Sequence, residues 1–159
     1  MVNHLLEEHR QLLKLADELL ALAGQPQMPD IDRLARIRWQ LARQFGNHIA
    51  AEDTTIRRPI GIGIGIGIGS TANDIIRTYD SGLMDLRHVL ADHNARWPIA
   101  AIRSDWAGYG NALRTTIAIL RKRMAWEEKV AYPLAAQHAA RAMRHAHAQG
   151  PGGSMPAED

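Results

Sequence analysis

The amino-acid sequence predicts an all-α protein, an up-down four-helix bundle built from two repeated helical hairpins. Three observations carry that expectation. Apolar residues recur three and four apart along most of the chain, the pattern of a helix with one buried face. Glycines and prolines fall between the periodic stretches, where turns belong. Polar residues on the buried stripes also recur in the same order in the two halves of the chain.

The first helix is expected over residues 3–23, with the stripe Leu5, His9, Leu12, Leu13, Ala16, Leu19, Leu20 and Ala23. Gly24-Gln25-Pro26-Gln27-Met28-Pro29 ends it. Asp30 is placed to cap the next helix, since a short acceptor side chain there satisfies a free N–H of the first turn. The second helix runs to about residue 57 through Leu34, Ile37, Leu41, Phe45, His48, Glu52 and Ile56. Residues 61–69 alternate glycine with isoleucine. Glycine at every second position weakens a strand, so the tract reads as an inter-helix loop, with a hairpin or self-associating edge as the alternative. A homodimer is therefore a possible assembly.

The third helix begins at Ser70 or Thr71 and carries Tyr79, Leu83, Leu86, Leu90, His93 and Trp97. The fourth carries Leu113, Ile117, Leu120, Met124, Glu128 and Ala131 and continues to about residue 147. Pro133 should kink it or mark an irregular turn. The bundle thus spans 1–149, and the Gly/Pro-rich residues 150–159 form a tail. Two segments compete for the turn between the last two helices. Trp97-Pro98 with Ser104-Asp105 offers a break and a cap, and Gly108-Tyr109-Gly110-Asn111 offers a glycine turn. Residues at one level of an antiparallel hairpin lie equally far from its turn. The midpoint between His93 and Met124 falls in the glycine segment, which favours that placement.

The chain's 159 residues suit one domain with a sizeable core. Having no cysteine, it forms no disulfides, thiolate metal sites or cysteine nucleophile, which fits a cytoplasmic protein. Its start lacks the apolar run of a secretory leader, and no stretch nears the roughly 20 apolar residues of a membrane helix. Lys and Arg number 19 against 17 Asp and Glu, with the signs interspersed, so nucleic acid is not an expected partner. No nucleophile triad, phosphate loop or dinucleotide fingerprint is present, and a conventional enzyme is not the first expectation.

The chemistry lies on the stripes. His9, His48, Glu52, His93 and Glu128 all occupy core-facing positions, and His48 and Glu52, four apart, project from one face. A buried carboxylate is costly unless it is paired or bound to a metal. Imidazoles and carboxylates converging from facing helices build metal sites, and a mixed nitrogen and oxygen set suits iron, manganese or zinc. The hairpin repeat sharpens this. His4-Leu5-Leu6-Glu7-Glu8-His9 aligns with His88-Val89-Leu90-Ala91-Asp92-His93, and His48-Ile49-Ala50-Ala51-Glu52 aligns with Met124-Ala125-Trp126-Glu127-Glu128.

These motifs resemble the hemerythrin-like HHE cation-binding family, whose pattern is a histidine followed by H-x-x-x-E, given twice, the last commonly followed by an aromatic-Pro-Leu. Here the parts are Glu8-His9, His48 with Glu52, Asp92-His93, and Met124 with Glu128 before Tyr132-Pro133-Leu134, over residues 3–136. The resemblance implies a bundle holding non-haem iron that binds or senses O2, NO or peroxide. Met124 stands where the family has its second-repeat histidine and is expected to pack in the core, leaving a vacant ligand position. The five remaining ligands allow a di-iron or a mono-iron site. A degenerate bundle without metal, acting as an interaction or regulatory module, is the alternative. Glu127 lies off the stripe and is expected in solvent. Trp97, Trp106 and Trp126 are read as packing residues, and Tyr109 supports the ligands only if it falls inside the fourth helix. His4 and His88 fall on the flanks of their helices, and His138, His145 and His147 on a solvated helix end.

Overall fold

A computed structural model describes residues 2–58 and 70–148. The glycine–isoleucine tract, the C-terminal tail and the side chains of His138, His145 and His147 lie outside the described residues. The described residues are helical apart from short connections. In chain order they form α1 (Asn3–Ala23), α2 (Ile31–Glu52) continuing into a π-helical turn (Asp53–Arg57), α3 (Ser70–Arg96), a short α4 (Ile99–Ser104), α5 (Trp106–Trp126) continuing into a second π-helical turn (Glu127–Ala131), and α6 (Tyr132–Ala148).

Local chemistry sets the boundaries. Gly24 closes α1, its N–H bonded to the Leu20 carbonyl at 2.9 Å. Asp30 caps α2 as expected, its carboxylate accepting from the Asp32 N–H at 3.0 Å. Pro98 has no N–H and disfavours helix in the residue before it. It sits extended (φ −64°, ψ 162°) between α3 and α4. Asp105 then caps α5 by accepting from the Gly108 N–H at 2.8 Å.

The turn between the third and fourth long helices is therefore not Gly108-Tyr109-Gly110-Asn111, which forms the first turns of α5. Those glycines serve close approach instead. A Cβ on Gly110 would meet the Ala23 carbonyl oxygen at 3.0 Å, so the bare backbone lets α5 nest against the end of α1. The residue level with His93 on the next long helix is Thr116, not Met124. His93 bonds Thr116, and their midpoint falls between Ser104 and Asp105, where the chain breaks.

α1 packs on α2 and α5, α3 packs on α5, and α6 packs on the turn that follows α2. The apolar interior has two parts. The larger gathers Leu12, Ala16, Leu19, Leu34, Ile37, Ile102, Leu113, Ile117 and Leu120, with Met124 at its edge. The smaller gathers Leu5, Ile56, Tyr79, Ala131, Tyr132 and Ala135. On α1, α2 and α5 alike, the residues between the two parts are polar: His9, then His48 and Glu52, then Glu127. Replacing Asp105 by Ala should cost about 1 kcal/mol in denaturant unfolding, because it removes the α5 cap. A glycine turn at 108–111 would leave that value unchanged.

Candidate metal centre

The polar layer is a buried cluster. His9, His48, Glu52 and Glu127 are each at most 3% exposed. One donor atom from each lies within 4.8 Å of all the others, so the four could hold a metal ion. His9 Nε2 and His48 Nε2 face each other at 3.0 Å. Glu127 Oε2 lies 3.4 Å from His9 Nε2, and Glu52 Oε1 lies 3.6 Å from His48 Nε2. A first-row ion with bonds of about 2.1 Å separates opposite ligands by about 4.2 Å and adjacent ones by about 3 Å. The donors already stand close to that spacing.

Each ligand-type group is anchored through its outward atom, and Glu52 through its inward one as well. His9 Nδ1 bonds Glu128 Oε1 at 2.8 Å, and His48 Nδ1 bonds Glu8 Oε2 at 2.8 Å. Carboxylates on the outer nitrogens fix the tautomer and aim the Nε2 atoms inward, as they do for metal-bound imidazoles. The Tyr79 hydroxyl donates to Glu52 Oε2 at 2.8 Å, and the Tyr132 hydroxyl donates to Glu52 Oε1 at 2.8 Å. Arg123 Nε donates to Glu127 Oε1, leaving Oε2 for the centre. The Arg123 guanidinium lies over Tyr79 at 4.6 Å and over Trp126 at 4.9 Å. Gly82 makes room for it, since a Cβ there would stand 2.6 Å from a guanidinium nitrogen.

These contacts shape the protonation states. Burial pushes His9 down, but hydrogen bonds to Glu127 and Glu128 outweigh it and leave the pKa raised. At His48 burial dominates its bond to Glu8, and the pKa is lowered. Because His48 Nδ1–H donates to Glu8, His48 Nε2 is the acceptor that faces His9 Nε2. Glu52 is pushed up to about 7 by burial and by the Glu127 charge, against the two tyrosine hydroxyls.

The expected ligands divide. The structure brings His9, His48 and Glu52 together. Glu128 does not join them: its side chain is 42% exposed and holds His9 from outside. Glu127 takes the inward place instead, a correction to its expected position in solvent. Two spacings were open beyond Met124, three or four residues, and strict four-three alternation from Leu113 through Ile117, Leu120 and Met124 leads to Glu127 and Ala131. The π-helical turn then adds one residue, its Tyr132 N–H bonding the Glu127 carbonyl, so that Ala131 and Tyr132 both face inward. Pro133, which lacks an N–H, was the sequence signal for that irregularity. Tyr79 was visible as a stripe residue of α3 but not as the neighbour of Glu52.

His93 stands apart. It bonds Thr116 Oγ1 at 3.1 Å, and Thr116 precedes Glu127 by 11 residues, about 16 Å along a helix. His9 is four turns from its hairpin turn and His93 only one from the break after Arg96, so the local repeat did not translate into equal depth. Met124 is buried at the edge of the larger apolar group, as expected for a packing residue. Tyr109 does fall inside the fourth long helix, buried against Trp97, Trp106 and His93 at the opposite end from His9. It touches none of the four clustered residues.

No family model, curated protein or solved structure matches this chain. Among the described residues no helix is long and apolar enough to cross a membrane.

Two outcomes test these electrostatics. Arg123→Met strands the Glu127 carboxylate and should cost about 3–5 kcal/mol in the metal-free protein, most of it recovered by adding Glu127→Leu. His93 is held down to about 4 by burial and by the Arg38 charge. The unfolded chain takes up that proton at its ordinary value of 6.5, so stability is lost as pH falls from about 6.5 towards 4. The melting temperature of His93→Gln should fall less steeply than that of the wild type over this window.

Proposed function

We propose that the chain is a hemerythrin-like, up-down four-helix bundle that holds a single non-haem iron ion at His9, His48, Glu52 and Glu127 and there binds or senses O2, NO or peroxide. The observation that carries this reading is the orientation of the donors. Both imidazoles are fixed by outer carboxylates, Glu127 is held by Arg123 at Oε1 with Oε2 turned inward, and the inward Glu52 Oε1 carries one hydrogen bond, from Tyr132, that an ion would share or displace. Two nitrogens and two oxygens suit iron, manganese or zinc, and an octahedral ion held by four protein donors keeps positions free for a small exchangeable ligand. His93 and Glu128 lie outside this group, which favours one ion over a di-iron centre. The Tyr132 hydroxyl, against both His9 Nε2 and Glu52 Oε1, borders the point on which the donors converge.

A second reading has its own observation. Arg123 pairs with Glu127 and two tyrosines bond Glu52, so both acids have partners without an ion. In that reading the bundle is an interaction or regulatory module.

Calorimetric titration with Fe(II) under anaerobic conditions, and with Mn(II) and Zn(II), separates the two. The metal reading expects tight binding with release of protons, because imidazoles and carboxylates bind an ion in their deprotonated forms. Glu127→Gln should weaken it by more than 100-fold and Glu128→Gln by about 10- to 100-fold, as loss of an outer partner does. His93→Gln should leave it unchanged. Affinity should also fall as the pH drops below about 7, where Glu52 takes up its proton. Weak binding that ignores Glu127→Gln would leave the metal-free module.

A further inference from the structure

A second polar feature lies away from the cluster. Near His93 a cavity of about 260 Å³ is lined by apolar side chains that include Phe45, Leu90 and Ile117. Exposed Asn94 and Arg87 also line it, which gives it a way to solvent. A cavity of about 150 Å³ is enough for benzene. This one has room for a substituted ring.

Two buried polar atoms belonging to lining residues have no partner: His93 Nε2 and the Tyr109 hydroxyl. Tyr109 is fully buried. Unpaired polar atoms at such positions are uncommon and call for an occupant. Their roles follow from their neighbours. The single Thr116 hydroxyl proton goes to the Ala112 carbonyl at 3.0 Å, so His93 Nδ1–H is the donor in its 3.1 Å bond to Thr116 Oγ1. That leaves His93 Nε2 as an acceptor. Burial keeps the Tyr109 phenol protonated, hence a donor. An aliphatic or aromatic hydroxyl both donates and accepts, which is the pair of functions these atoms lack.

We infer that this cavity is a separate binding site for a small apolar molecule carrying a hydroxyl, whose body fills the space among Phe45, Leu90 and Ile117 and whose hydroxyl is recognised by His93 Nε2 and Tyr109. The site is independent of the His9–His48 cluster and does not rest on metal binding.

The test uses 4-ethylphenol and its counterpart without the hydroxyl, ethylbenzene, titrated into the full chain and followed by the His93 ring signals in NMR. The expected result is that 4-ethylphenol binds at least about tenfold more tightly and moves those signals. Tyr109→Phe, which removes one oxygen and keeps the ring, should reduce the preference several-fold, and His93→Leu should do the same. Ethylbenzene affinity should change little in either variant. Equal affinity for the two probes would overturn the proposal, since the cavity would then be an unselective apolar space. Binding of neither below about 1 mM would overturn it too, leaving a water-filled cavity. A preference that survives both variants would place the binding elsewhere and refute the assignment.

Discussion

Two carboxylates and two imidazoles are shut away from water at one level of the interior, and much of the structure follows from accommodating them. Glu52 and Glu127 would be prohibitive as unpaired charges. Each is met by partners: hydroxyls from α3 and α6 at Glu52, and at Glu127 the guanidinium of Arg123, one turn earlier on the same continuous helix. Bare backbone at Gly82 admits that guanidinium, and Tyr79 and Trp126 cover it. The polar layer is bounded by apolar packing on both sides, so water has little access and each hydrogen bond acts in a low local dielectric.

The two π-helical turns supply the geometry. Both lie at the acidic positions, one directly after Glu52 and one beginning at Glu127. An α-helix presents a given face every three or four residues. The wider turn lets two successive residues, Ala131 and Tyr132, reach the interior, and so puts a tyrosine beside His9 and Glu52 without removing the residue that packs behind it. The sequence places a proline two residues beyond each π-helical turn, Pro59 and Pro133. At Pro133 the missing N–H leaves a carbonyl one turn earlier without its ordinary partner, which favours the wider pattern. The outcome is rigidity: imidazoles locked by outer carboxylates, and acids locked by hydroxyls and a guanidinium.

Much of this was legible in the chain and some was not. Helix positions, the Asp30 cap and the inward placing of His9, His48 and Glu52 follow from periodicity and from the cost of burying polar groups. The Glu127 placement was within reach, because four-three alternation from Leu113 selects it over Glu128, but a match to the H-x-x-x-E spacing pointed one residue further. His93 was misplaced for a different reason. Sequence similarity between hairpins carries no information on depth, and depth depends on where the chain reverses. Pro98 and Asp105 mark that reversal, while Gly108 and Gly110 imitate a turn; Gly108 in fact leaves room for the Asp105 cap, and Gly110 for the end of α1. Tyr79 was beyond reach, since its role exists only through Glu52 on another helix, whereas Arg123 and Glu127 stand four apart on one continuous helix and could have been paired from spacing alone.

The central claim is that four donors on α1, α2 and the turn after α5 hold one ion. X-ray absorption at the iron edge, on the full chain loaded anaerobically with Fe(II), examines that most directly. The account predicts scattering from two imidazoles together with oxygen neighbours, and no metal–metal distance. A metal–metal vector, or a shell made of water oxygens alone, would contradict it.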